Sequence, residues 1–162
     1  MSTTINNKKA FIYDLQNEKV LHILNPIIST KQVTLSADGK HYYLPENNII
    51  KVFDVATGNK TKELKSDHPL GYGVFESFSV RSDEKYGIGL ILHRPESYSG
   101  STEAAEPRVV LINAETGKEL WKVGISKISK LNYPKTVQFT SDDVFYLSEN
   151  KKYEFFQNSK FK

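Results

Sequence analysis

One phrase is written twice in this chain. It reads KVFDVATGNKTKEL at 51–64 and returns as VLINAETGKELWK at 110–122, with a weaker copy, FIYDLQNEKVLHIL, at 11–24. Each copy is a short run of alternating apolar residues, a polar turn and a second short run; the two stronger copies place Thr-Gly in the turn. Repetition of this kind restricts the fold strongly, because each unit must bury its apolar surface against the next.

A second phrase alternates with the first. It appears as VTLSADGKHYYL at 33–44, FSVRSDEKYGIGL at 78–90 and VQFTSDDVFYL at 137–147. Each is an apolar strand, a Ser- or Asp-bearing turn, and another strand. Asp38 and Asp83 stand about 45 residues apart, matching the roughly 40–45-residue period of four-stranded propeller blades. Asp142 follows at a longer interval, which the insertion HRPESYSGSTEAAEPR at 93–108 accounts for.

Alternation with period 2 dominates and no stretch keeps a helical rhythm, so the chain reads as all-β. With strands labelled a to d from the inside of a blade outward, 10–24 reads as c-d. Residues 32–65 read as a full blade, 74–123 as another carrying the 93–108 insertion, and 136–157 as a-b-c. The expectation is a single WD40-like β-propeller segment over 1–162, about three four-stranded blades plus one strand. Closed propellers typically have at least four blades. The segment is therefore expected to be a fragment of a larger ring, or to have its open edges covered by another protein chain.

In an antiparallel blade, the a–b and c–d turns lie on one side and the b–c and d–a connections on the other. The connections expected to be long, at 25–31, 66–73, 93–108, 124–135 and 148–152, all fall on the second side. Loops carry function more often than the strands that hold them. ISKISKLNYPK at 125–135 contributes Lys127, Lys130, Tyr133 and Lys135 with no acid, and Lys151 and Lys152 follow in the next connection. Basic residues beside an aromatic suit a phosphate backbone. The competing expectation is that these lysines keep a loop solvated and blunt a sheet edge.

Composition narrows the chemistry. The 162 residues contain no cysteine, which excludes disulfides and thiolate metal sites, and the net charge of +3 neither demands nor forbids a nucleic-acid partner. No run approaches the roughly 18 apolar residues of a membrane-spanning helix, and MSTTINNKK lacks the apolar segment of a signal peptide. The expectation is a cytoplasmic protein with no membrane partner. His22, His41, His68 and His93 lack HxxxH or HExxH spacing, no GxSxG elbow occurs, and Gly71-Tyr72-Gly73 and Gly87-Ile88-Gly89 lack a third glycine and a following helix. No catalytic, metal or cofactor residue is expected, and the protein reads as a non-enzyme. Asp38, Asp83 and Asp142 read as turn caps and Trp121 as a packing residue between blades.

The stretch GIGLILHRPESYSGSTEAAEPRVVLINAETGKEL pairs a b strand with a long Pro- and Ser-containing loop and a Thr-Gly c–d turn. KKYEFFQNSKF closes the chain with an aromatic strand and an Asn turn. Together with VTLSADGKHYYLPENNIIKVFDVATG upstream, this pattern resembles the N-terminal β-propeller of the eukaryotic translation initiation factor 2A family, best over 86–161. Asn113 stands where that family usually has Asp. The resemblance implies a non-catalytic translation factor that contacts the small ribosomal subunit and supports tRNA or mRNA engagement. It carries no site residue over to this chain. Two alternatives remain: a generic propeller interaction module in another assembly, and a quinone-dependent oxidoreductase suggested by ETGKELWKV.

Overall fold

The protein is described by a computed structural model over residues 10–24, 33–65, 73–93 and 107–157. The connection expected at 25–31 lies outside these residues, as do nearly all of those at 66–73 and 93–108. Strands β1 (Ala10–Asp14) and β2 (Lys19–Leu24) form a hairpin. A four-stranded sheet follows: β3 (Thr34–Leu35), β4 (His41–Glu46), β5 (Ile49–Asp54) and β6 (Lys60–Lys65). The next comprises β7 (Gly73–Val80), β8 (Tyr86–His93), β9 (Arg108–Asn113) and β10 (Glu119–Gly124). The last is three-stranded: β11 (Thr136–Phe139), β12 (Val144–Glu149) and β13 (Lys152–Gln157). Every sheet is an antiparallel meander in sequence order, which is the blade pattern the repeated phrases predict.

The repeated turns share one mechanism. Asp54 Oδ1 accepts both the N–H and the hydroxyl of Thr57 at 2.7 Å, and the Gly58 N–H returns to Asp54 O at 2.9 Å. Asn113 does the same work in the second copy, taking the Thr116 N–H at 2.8 Å and its hydroxyl at 3.0 Å. Asn can replace Asp here because the turn requires only a side-chain acceptor. In the second phrase Asp38 accepts the Ser36 hydroxyl and the Lys40 N–H, and Asp83 accepts the Arg81 guanidinium and the Lys85 N–H. The third aspartate departs from this pattern: Asp142 accepts the Ser82 hydroxyl of the neighbouring sheet's turn, linking two blades.

The core lies in three seams between successive sheets. Ile12 packs on Tyr42 with Leu21, Val33, Phe53 and Val55 between the hairpin and the β3–β6 sheet. Tyr43, Ile50, Val52 and Leu64 meet Phe75, Phe78, Val110 and Ile112 in the second seam. Ile88, Leu90 and Val109 meet Val137, Phe145 and Leu147 in the third, where Trp121 packs as a half-buried neighbour. The β7–β10 sheet is thus covered on both faces, which explains the unbroken apolar runs GIGLIL and VVLI. Gly87 and Gly89 make room for the Phe78 and Phe75 rings: an added Cβ would lie 2.2 Å and 2.5 Å from them. Each fully buried ring contributes about 2–3 kcal/mol of hydrophobic stabilisation.

The inner strands are joined by side-chain oxygens. The Thr34 hydroxyl donates to Phe78 O, and Ser79 Oγ accepts the Phe139 N–H at 3.1 Å. A bulge between Phe75 and Ser77 interrupts the β7–β8 ladder beside a further link, from Ser77 to Val137.

One expected connection is corrected. Residues 148–152 do not form a long loop; β12 and β13 are joined by the two-residue turn Asn150-Lys151, with φ of 48° and 68°. Positive φ at both positions gives a turn whose twist matches the flanking strands.

Candidate functional site

The d–a connection between β10 and β11 begins with a 3-10 turn, Ile125–Lys127, and is anchored from below. Ile125 and Leu131 are buried in the third seam. Because the loop crosses the end of the sheet, its backbone donors need acceptors, and two strand carboxylates supply them. Glu154 accepts the Lys130 N–H on both oxygens at 3.2 Å. Glu149 accepts the Asn132 N–H at 3.1 Å and the Tyr133 N–H at 3.0 Å. The Lys135 N–H reaches Ser148 O at 2.8 Å.

This scaffold gathers the expected site residues on one rim. Lys127, Lys130 and Lys135 are exposed on the anchored loop, and the Tyr133 ring is 65% exposed. Lys151 occupies the β12–β13 turn, and Lys152 opens β13 opposite Glu149. The sequence segment contains no acid, yet folding brings Glu149 and Glu154 beneath it, so five lysines stand against two carboxylates. Those anchors escaped sequence reading because they lie 16 to 24 residues from the groups they hold.

Two aromatic residues were also missed. Tyr153 and Phe155 on β13 are 58% and 65% exposed. Their rings lie 5.7 Å and 5.8 Å from that of Tyr146. The alternation in KKYEFFQ separates the two faces of the strand, but the pattern alone does not say which face stays uncovered.

On the turn side, Asp38, His41 and Glu84 bring one ligand atom each within 4.8 Å of one another, so a histidine does converge with two carboxylates across a blade junction. These groups are engaged with one another and with their neighbours. His41 Nδ1 lies 3.1 Å from Glu84, the Tyr43 hydroxyl donates to Glu84 at 2.8 Å, and Lys40 sits 3.1 Å from Asp38. Burial and the Glu84 bond push the Tyr43 hydroxyl pKa well above its ordinary 10.0. The cluster works as a hydrogen-bonded link between blades. His22 instead donates to Val55 O at 2.7 Å, while His68 and the His93 side chain lie outside the described residues.

A cleft of about 630 Å³ opens where β3, β7 and β11 converge with their turns. Its hydroxyls from Thr34, Ser79 and Ser82 serve the blade junctions, which makes it the inner wall of the array. Among the described residues, no helix is long and apolar enough to cross a membrane.

No protein-family model and no curated protein matches the sequence. Among solved structures, the chain is similar to Kuenenia stuttgartiensis hydrazine synthase, with a TM-score of 0.57 and 11% identity. The match covers 92% of this chain and 40% of that one. A likeness at this identity speaks for the fold alone. The chain is an all-β array of propeller-type blades, and it spans well under half of its structural neighbour's length.

Proposed function

We propose that the protein is a non-catalytic propeller scaffold that binds RNA, in the setting of the small ribosomal subunit, through the rim formed by Lys127, Lys130, Tyr133, Lys135, Lys151 and Lys152. The observation that carries this reading is the anchored loop: Glu149 and Glu154 hold its backbone while the lysines remain exposed. A pre-ordered row of cations loses less entropy on meeting a phosphate backbone than a mobile one does. The resemblance to the initiation-factor propeller supplies the ribosomal context, and with it a cytoplasmic location and tRNA or mRNA nearby. The test is co-sedimentation of the purified chain with small ribosomal subunits across a salt series. Saturable binding is expected, weakening as salt rises and again when Lys127, Lys130 and Lys135 become Glu. A folded sample that fails to bind at low salt would end this reading.

A second reading, a protein-interaction module in another assembly, is favoured by the exposed Tyr13, Val20 and Ile23 of the first hairpin. Binding to a protein partner through that apolar surface would be nearly insensitive to salt.

A further inference from the structure

We propose that a second copy of this chain covers the outer face of the β11–β13 sheet, seating its own β1–β2 hairpin there so that two copies pair head to tail. The register of the repeat identifies that face as half of a seam. β12 and β13 align with β4 and β5 without a gap, turn on turn, Asn150-Lys151 standing where Asn47-Asn48 does. Phe145 and Phe156 stack at 5.2 Å as Tyr42 and Phe53 stack at 4.8 Å, so the faces that meet the preceding sheet correspond. On the opposite faces, Tyr146, Tyr153 and Phe155 hold the positions of Tyr43, Ile50 and Val52. Those three are at most 1% exposed inside the second seam, whereas Tyr153 and Phe155 are 58% and 65% exposed. The β11–β13 sheet thus ends in the kind of surface that elsewhere in this chain receives the next sheet, and among the described residues no sheet follows.

The other end carries the matching half. β1 and β2 align with β5 and β6, and both pairs bulge at the same place, between Ile12 and Tyr13 and between Val52 and Phe53. Ile12, like Val52, faces the following sheet, and Tyr13 holds the place of Phe53, which meets the preceding one. Beside Tyr13, Val20 and Ile23 hold the places of Lys60 and Glu63, which form an ion pair at 2.6 Å in the interior sheet. In the hairpin the same positions are apolar and about half exposed. Repeat arrays that end in water close on a polar capping face, and neither end of this one does. Neither trio of side chains carries a charge, so bringing them together strips water from none.

A second copy is the occupant because one chain holds both halves, one at each end. The contact is heterologous, and it repeats: the hairpin of the first copy remains free for the last sheet of the second. Two copies joined at both ends bring together eight sheets, twice the four of one chain, a ring size that propellers reach. The hairpin contributes only two strands, so this seam is the thinnest and the pair comes apart on dilution. The pairing stands whether or not the lysine rim binds RNA, since no lysine of that rim belongs to either surface.

Sedimentation velocity over a concentration series, on protein whose fold is checked by circular dichroism, tests this. The parent should move with concentration from 18.5 kDa to twice that mass. Phe155→Glu and Ile23→Glu, one on each surface, should each hold the chain at the monomer mass. Mixing the two variants should restore a weaker dimer held by one seam that is unaltered on both sides. That recovery would also show both variants to be folded. Tyr133→Glu alters an equally exposed ring on neither surface and should leave the dimer intact. A parent that stays monomeric throughout would overturn the proposal. So would a dimer lost with Phe155→Glu but kept with Ile23→Glu, which would mean that two β11–β13 faces meet each other. Folded variants that fail to recover on mixing would overturn it as well, and masses climbing past the dimer would overturn closure at two copies.

Discussion

The hydroxyl of Ser77 serves both backbone groups of one residue in the next sheet: it accepts the Val137 N–H at 2.9 Å and donates to Val137 O at 3.1 Å. Ser77 is fully buried and so is Val137, so no water replaces either bond. Ser77→Ala should cost about 3 kcal/mol, because two buried backbone groups lose their partner and each carries a penalty of about 1–3 kcal/mol. Urea denaturation measures this directly. A midpoint within error of the parent would mean that the third seam relaxes around the loss.

The Thr-Gly turn combines two constraints that substitution can separate. Gly117 has φ +80°, and a Cβ there would lie 3.1 Å from Lys65 N and 3.2 Å from Leu64 Cα, backbone atoms of the adjacent sheet. Gly39 has φ +72° with nothing within 4 Å. Gly39→Ala should therefore cost about 1 kcal/mol of backbone strain alone. Gly117→Ala adds steric conflict and should cost at least twice as much. Equal shifts in melting temperature would show that the blade seam at Lys65 yields freely.

Acid should weaken the array through its turns. The Lys40 N–H and the Ser36 hydroxyl hold the Asp38 carboxyl below its ordinary value of 3.8, the Thr57 hydroxyl does so for Asp54, and the Arg81 guanidinium for Asp83. A folded-state pKa below the unfolded one means that the unfolded chain takes up protons first. The stability these groups lend is complete above 3.8 and drains away as pH falls below it. Melting temperatures recorded down the acid range should fall there, and Asp83→Asn should flatten part of the decline. A variant curve parallel to the parent's would remove Asp83 from the account.

Glu149 has opposing influences on the lysine rim, as a negative charge and as an anchor. Glu149→Gln removes the charge and keeps one carbonyl acceptor, so RNA affinity should rise modestly. Glu149→Ala removes both acceptors of the Asn132 and Tyr133 N–H groups, and affinity should fall as the loop loosens. Titrations at one fixed salt concentration separate the two. If Ala strengthened binding as much as Gln, the anchoring would be irrelevant to recognition.

What the sequence reveals depends on how local the cause is. The Thr-Gly turns and those of Asp38 and Asp83 act within about five residues, and they could be read with their strands attached, whereas Asp142 bonds Ser82 of another blade and its role could not. The Asn150-Lys151 turn was misread as part of a longer connection, because Lys at φ 68° carries no turn signature and only the strand register requires it. The Asp38–His41–Glu84 link was invisible, since Glu84 joins from a separate blade. The lysine rim was legible as composition, but its fixed shape was not: the carboxylates that set it belong to β12 and β13. Tyr153 and Phe155 were visible as aromatics, and only the packed structure shows them uncovered.

Side-chain hydroxyls, instead of a continuous main-chain ladder, connect the inner strands, and this makes the molecule nearly one-dimensional in its energetics. Each sheet answers chiefly to its immediate neighbours across a seam. Amide protons in β8 and β9, flanked on both sides, would then be the last to exchange, and those of the β1–β2 hairpin among the first. Loosening would spread inward from the two ends, one seam at a time.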